Sequence, residues 1–263
     1  KSGVKGMIKT SVSPEDTARI NNLIKKGFQY LKKTSSEKAA SYINETEVYI
    51  DSVEFLCERN KIDFPPMLHL LKAEFYYIRS DFNTSEGEAK ICIDKAKDSK
   101  DYMAQAQAMI FLGTYYHRTG SFSESIDNYE NCIKFSKEKK LKGIIPTCYY
   151  GQSQVMKTIG DLKGESKGYE LMAEASLAEN DSVRTMDAWL SNGSMFLEKM
   201  RNSKTADSLI KKCLDMALIR KDSAFTAFSS AQIGWSFYLE KMYDYSLAYY
   251  HKSLRYSIPV KKH

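Results

Sequence analysis

The chain has 263 residues, a net charge of +6, and hydrophobic and charged shares of 43% and 27%. These values fit a folded chain with a substantial core and exclude a disordered, charge-dominated tail. No apolar run approaches the roughly 18 residues of a membrane span, and basic and acidic residues interleave, as in residues 134–143, which favours solvated helix faces over a nucleic-acid surface.

In chain order, the first residue is Lys1 rather than methionine, which points to a removed N-terminal segment. Residues 1–14 read as a lead-in. Ser13-Pro14-Glu15-Asp16 supplies an N-cap, a proline at the first helical position and an acidic first turn. From there a column of small residues recurs: Gly27, Ala73, Gly113, Ser153, Gly193 and Gly234, with steps of 40, 40, 40 and 41 after the first pair. Three residues later stand Tyr30, Tyr76, Tyr116, Met156, Phe196 and Phe237. Four residues before stand Leu23, His69, Met109, Tyr149, Trp189 and Ser230. Sixteen after come Ile43, Ala89, Tyr129, Tyr169, Leu209 and Tyr250. Nineteen after come Thr46, Cys92, Cys132, Met172 and Ser253, with Cys213 one residue late.

A column that returns six times at a near-fixed period is a repeat array, and spacings of three and four place its large residues on one helical face. Breaks between paired helices are expected near Thr34, Ser80, Gly120, Gly160, Met200 and Lys241. Pro65 and Pro66 open a helix, Pro146 lies in a first turn and Pro259 follows the last helix, so no proline interrupts a helix interior. No period-2 segment competes. The expected fold is therefore all-α: a right-handed α-solenoid of about six helical hairpins over residues 15–258, with units near 15–60, 61–100, 101–140, 141–180, 181–221 and 222–258 and a tail at 259–263. Tyr30, Tyr76, Tyr116, Phe196, Phe237, Trp189, Tyr129 and Tyr250 are expected to be buried.

These columns resemble the tetratricopeptide repeat. Its signature shows most fully in Met109, Leu112-Gly113, Tyr116, Gly120, Ser125, Tyr129 and Cys132. Trp189, Gly193 and Phe196 repeat part of it, as do Gly234, Phe237, Ser246 and Tyr250. The period exceeds the usual 34 residues, which implies longer helices, as in the long-period branch found in bacterial signalling proteins. The fourth copy departs most: Ser153 replaces the glycine, and Glu165 stands where a small residue is expected. Asp16, Thr17, Arg19, Ile20, Asn21, Tyr30, Glu37, Lys38 and Ala39 also resemble the opening repeat of sensor regions in Gram-negative envelope signalling proteins. That likeness implies an array ahead of a membrane helix and a histidine kinase or DNA-binding output lying outside this chain, with the array in the periplasm or cell envelope.

No catalytic constellation accompanies the repeats. His69, His117, His251 and His263 form no metal-binding spacing, and the sequence contains neither a phosphate loop nor a nucleophile elbow. A non-catalytic recognition module without cofactor or metal is expected. Cys57, Cys92, Cys132, Cys148 and Cys213 make no Cys-x-x-Cys site, and three of them share a repeat column, so buried free thiols are expected. Five free thiols suit a reducing compartment better than an envelope, which keeps a cytoplasmic peptide-responsive regulator open as the alternative.

In an array of this type the first helix of each hairpin lines the concave face. Residues one, four and five past the anchor, and three and six before it, are expected there: Met67, Leu70, Glu74, Tyr77, Gln107, Thr114, His117, Arg118, Tyr150, Gln154, Lys157, Asp187, Ser194, Glu198, Trp235 and Tyr238. Amides and aromatic walls suit an extended peptide or protein partner, and Arg118 with Lys157 offers positive potential for an acidic group. No direct contact with nucleic acid is expected, and membrane association only through a segment outside the chain. The last hairpin carries Trp235, Phe237, Tyr238, Tyr243, Tyr245, Tyr249, Tyr250 and Tyr256 on more than one face, so it is expected to meet further repeats, a coiled coil or a second copy.

Overall fold

The computed structural model describes residues 13–33 and 39–257. The expected break at Thr34, the matched Glu37 and Lys38, Pro259, His263 and the tail lie outside the described residues, as does the lead-in up to residue 12. Among the described residues there are twelve α-helices and no strand. They are α1 (Pro14–Leu31), α2 (Ala39–Asn60), α3 (Pro66–Ile78), α4 (Phe82–Ser99), α5 (Tyr102–Thr119), α6 (Phe122–Lys139), α7 (Ile145–Ile159), α8 (Leu162–Ala178), α9 (Ser182–Glu198), α10 (Ser203–Arg220), α11 (Ser223–Leu239) and α12 (Tyr243–Ser257).

Nine junctions among the described residues share a feature. A residue in the left-handed region ends one helix, at Ser80, Lys100, Gly120, Lys140, Gly160, Asn180, Arg201, Lys221 and Lys241. The following residue often caps the next helix. Asp81 accepts from the Thr84 amide, Asp161 from Gly164, Asp181 from Arg184, Asn202 from Thr205 and Asp222 from Phe225, all at 3.0–3.2 Å. Such a cap contributes about 1 kcal/mol. Ser13 caps α1 by accepting from the Asp16 amide at 3.0 Å, with Pro14 in the first turn.

The chain divides into two compact units, Lys1–Tyr115 and Tyr116–His263. In the first, Ile20, Ile24, Leu56, Leu68, Leu71 and Phe75 form the core between α1, α2 and α3. Lys72 donates to Glu54 at 3.0 Å and to Glu88 at 2.9 Å, while His69 Nδ1 lies 2.6 Å from Glu88. Burial opposes ionisation of Glu88, but the hydrogen bonds with His69 and Lys72 outweigh it and hold its carboxyl below the usual range. In the second unit, α9 and α10 close over Leu197, Ala206, Ile210 and Leu214, joined by Ile233 of α11. All six anchor residues are buried. At Gly193 an added Cβ would lie 2.5 Å from Ile210, and at Gly168 it would lie 2.6 Å from Ser153, so the helices touch nearly backbone to backbone there.

The aromatic expectation needs correction. Of the eight rings, only Tyr129 is fully buried; Tyr30, Tyr76, Tyr116, Trp189, Phe196, Phe237 and Tyr250 are half-buried. The buried position lies one residue nearer the anchor, at Phe75, Tyr115, Val155, Met195 and Ser236. The position three past the anchor sits at the rim of the hairpin seam, where a large ring covers the seam edge and keeps one face wet.

All five cysteines are buried and none forms a disulfide. Cys92 packs with Ala108, and Cys213 accepts from the Ser229 hydroxyl at 3.2 Å. Each cysteine of the repeat column thus meets the position five before the anchor on the next helix. At α6 and α7 that partner is Cys148, whose thiol is raised by its hydrogen bond to Cys132 and by burial.

Candidate functional site in the second unit

Three first helices of the second unit, α7, α9 and α11, contribute to a cleft of 280 Å³ floored by α8. Lys157 comes from α7; Ser191, Ser194, Met195 and Glu198 come from α9, with Lys199 at its end; Phe228 and Gln232 come from α11. Glu165 and Tyr169 of α8 form the base. Lys157, Ser194 and Glu198 were expected on this face; the others escaped sequence reasoning.

Glu165 is the most informative of these. Ser85, Ser125 and Ser246 occupy the same repeat position and are buried. Ser85 there donates to the Ala73 carbonyl at 2.8 Å, a short reach between paired helices. Glu165 is 1% exposed, and its carboxylate accepts from Lys199 Nζ at 2.8 Å. A buried carboxylate requires such a partner, because an isolated charge costs several kcal/mol to desolvate (about 3–5 kcal/mol when one partner is removed). The departure from the small-residue column was visible in the sequence, but its partner, 34 residues away, was not.

Around this pair the polar groups are mixed. Gln154 donates to the Tyr169 hydroxyl at 3.0 Å, which fixes that ring, and Tyr150 packs beside it at 6.5 Å between centroids. Gln232 Oε1 is buried and has no hydrogen-bond partner among the described residues. A buried acceptor left unmade costs about 1–3 kcal/mol, so an N–H donor placed there is held at little further cost. Leu190, Met195 and the exposed ring of Phe228 supply apolar wall. Asp187 is exposed, yet partial desolvation raises its carboxyl.

The remaining expected residues are placed as follows. His117 Nε2 lies 2.7 Å from the Thr158 hydroxyl, and its ring sits 6.1 Å from Phe122; burial, then Arg118, lowers its pKa. Arg118 and Lys157 are exposed. Trp235 and Tyr238 are exposed and stacked on one another, 5.4 Å apart with 15° between planes. Glu74, Tyr77, Gln107 and Thr114 belong to the first unit. There Tyr77 is half-buried among Phe82, Phe111 and Tyr115 rather than standing alone, and Thr114 donates to its own helix at Ile110. Leu70 is buried, and Tyr115 is core, with its hydroxyl donating to the Phe82 carbonyl at 3.2 Å.

The sequence matches no family model and no curated protein. Solved structures are similar in fold. BtubC from P. vanneervenii aligns over 93% of both chains at 12% identity with a TM-score of 0.62. The apo form of RapI aligns over 90% of this chain and 76% of that one, at 11% identity and a TM-score of 0.66. A STAND signal-transduction ATPase with a tetratricopeptide repeat sensor, from Pyrococcus horikoshii, aligns over 89% of this chain at 15% identity and a TM-score of 0.64; this chain spans 37% of its length. The fold is a tetratricopeptide-like helical repeat. It is all-α and of the solenoid class, as the recurring columns indicated.

Proposed function

We propose that the chain is a non-catalytic module of a signalling protein that recognises an extended peptide or a protein segment, and that the cleft between α7, α9 and α11 is its binding site. The observation that carries this reading is the cleft's make-up: the buried Gln232 acceptor lacks a partner beside apolar wall at Leu190 and Phe228, between Lys157 and Glu198. A strand-like segment offers what such a cleft lacks: backbone N–H donors at regular spacing and alternating side chains for the walls. Fold-level likeness supports the class of function by analogy alone. Among similar folds are a Rap protein complexed with competence and sporulation factor and the quorum sensor NprR from B. thuringiensis.

A regulator working in a reducing compartment is favoured over an envelope sensor, on one observation: all five cysteines are buried and none forms a disulfide. Binding in the cleft would favour one arrangement of α7, α9 and α11 and so bias an attached output.

The reading is tested by screening a peptide library against the chain by fluorescence polarisation, then repeating the best binder with Phe228→Ala and Gln232→Ala. Binding lost in either variant supports the cleft. A library that yields no binder, or binders indifferent to both changes, overturns it.

A further inference from the structure

The second helix of each inner hairpin presents a face that the next first helix covers. Twenty-three residues past the anchor stand Ala96, Ser136 and Ser176, with Ala217 at the matching place one residue late, all fully buried. Three residues earlier stand Ile133 and Ala173, also buried. On α12 the matching residues are Ser257 and Leu254, and both are exposed. Leu254 is 55% exposed, Leu247 57% and Tyr243 59%. These three recur at steps of four and seven, so they form one straight stripe on the helix, the spacing of a coiled-coil seam. No other described helix covers it.

The flank of this stripe indicates what does. Asp244, His251 and Arg255 lie on the same side, with the acid near the start of α12 and the base near its end. Two parallel copies would set this charged flank of each against the opposite flank of the other, where Tyr250, Ser253 and Ser257 offer no opposite charge to Asp244 or Arg255. Two antiparallel copies set the acid of each beside the base of the other and Leu247 opposite Leu254, because like flanks meet in an antiparallel pair. The stripe is therefore complementary to itself in one orientation only.

We propose that α12 is a homodimer interface, pairing antiparallel with α12 of a second copy across a two-fold axis near His251. Such an isologous contact closes on itself and buries the same patch of both copies. It is separate from the cleft of α7, α9 and α11 and independent of what that cleft binds.

Sedimentation velocity of the full chain across a wide concentration range tests this. The expected species has twice the 30.1 kDa chain mass, and Leu247→Glu with Leu254→Glu abolishes it while the helical circular dichroism is kept. Both leucines are exposed, so the variant should fold. Orientation is read separately with a short bis-maleimide. His251→Cys should cross-link to its twin, because the axis passes beside it, whereas Asp244→Cys should not. A parent chain that stays monomeric at the highest concentration overturns the proposal, as does a dimer unaffected by the double substitution or cross-linking more efficient at position 244 than at 251.

Discussion

Glu74 on α3 couples a single ionisation to stability. Desolvation pushes its carboxyl up to about 7, against the opposing attraction of Lys32. An unfolded chain releases that proton near the ordinary value of about 4.3. Between these values the native state binds more protons than the unfolded one, so stability falls as pH rises through the window. The penalty is absent below the unfolded pKa and complete above about 7, where it reaches on the order of 3 kcal/mol. Glu74→Gln should therefore match the parent in urea unfolding under acid conditions and exceed it by about 2–3 kcal/mol in mild alkali. A constant difference across the window would show that Glu74 ionises freely. The thiols make a second residue-scale case. Burial raises Cys92 to about 12 and Cys213 to about 11, and thiolate is the reactive form. Cys132 is instead lowered by its hydrogen bond with Cys148, so burial alone shields it; Cys92, Cys132 and Cys213 should label with a thiol reagent only as the chain unfolds. Fast labelling of all three in the native state, or a bridge between any two of them, would contradict their placement between helices.

At the scale of elements, two glycines predict opposite outcomes for the same substitution. Gly168 of α8 faces Ser153 of α7, where an added Cβ would meet the Ser153 Cβ at 2.6 Å and its Cα at 3.0 Å. Backbone cannot yield as a side-chain tip can, so Gly168→Ala should destabilise by about 1–3 kcal/mol despite its better helix propensity. Gly87 of α4 has nothing within 4 Å of an added Cβ, so Gly87→Ala should stabilise by about 0.5–1 kcal/mol. Thermal unfolding of the pair checks both signs. The same elements show what the sequence made legible. Anchor residues were readable because close helix packing restricts residue size, and that restriction repeats every 40 residues. The ring column was read one step too deep, since spacing gives a face but not which of two adjacent positions points to its centre. Partners were harder: Lys199 for Glu165, or Glu54 and Glu88 for Lys72, are set by which helices meet, and nothing local marks them.

For the molecule as a whole, class of fold came from the columns alone, whereas the cleft did not. Three of its residues were expected, but its base lies on α8, a second helix that the groove rule leaves out. The glutamate in a serine position was the available signal. It marks the repeat where α8 carries a buried carboxylate paired with Lys199 at the end of α9, and both line the cleft. If the cleft binds an extended peptide with an acidic group, we propose that Lys157 of its lining, with Arg118 as a further exposed cation of the same unit, attracts it. Exposed charges contribute little to folding, about 0–1 kcal/mol each. The decisive measurement is calorimetric titration of a library-selected acidic peptide into the parent and into Arg118→Ala with Lys157→Ala, alongside thermal unfolding of both. The account predicts binding weakened about tenfold or more, roughly 1.4 kcal/mol, with the unfolding midpoint nearly unchanged; equal affinity in the two proteins would contradict it.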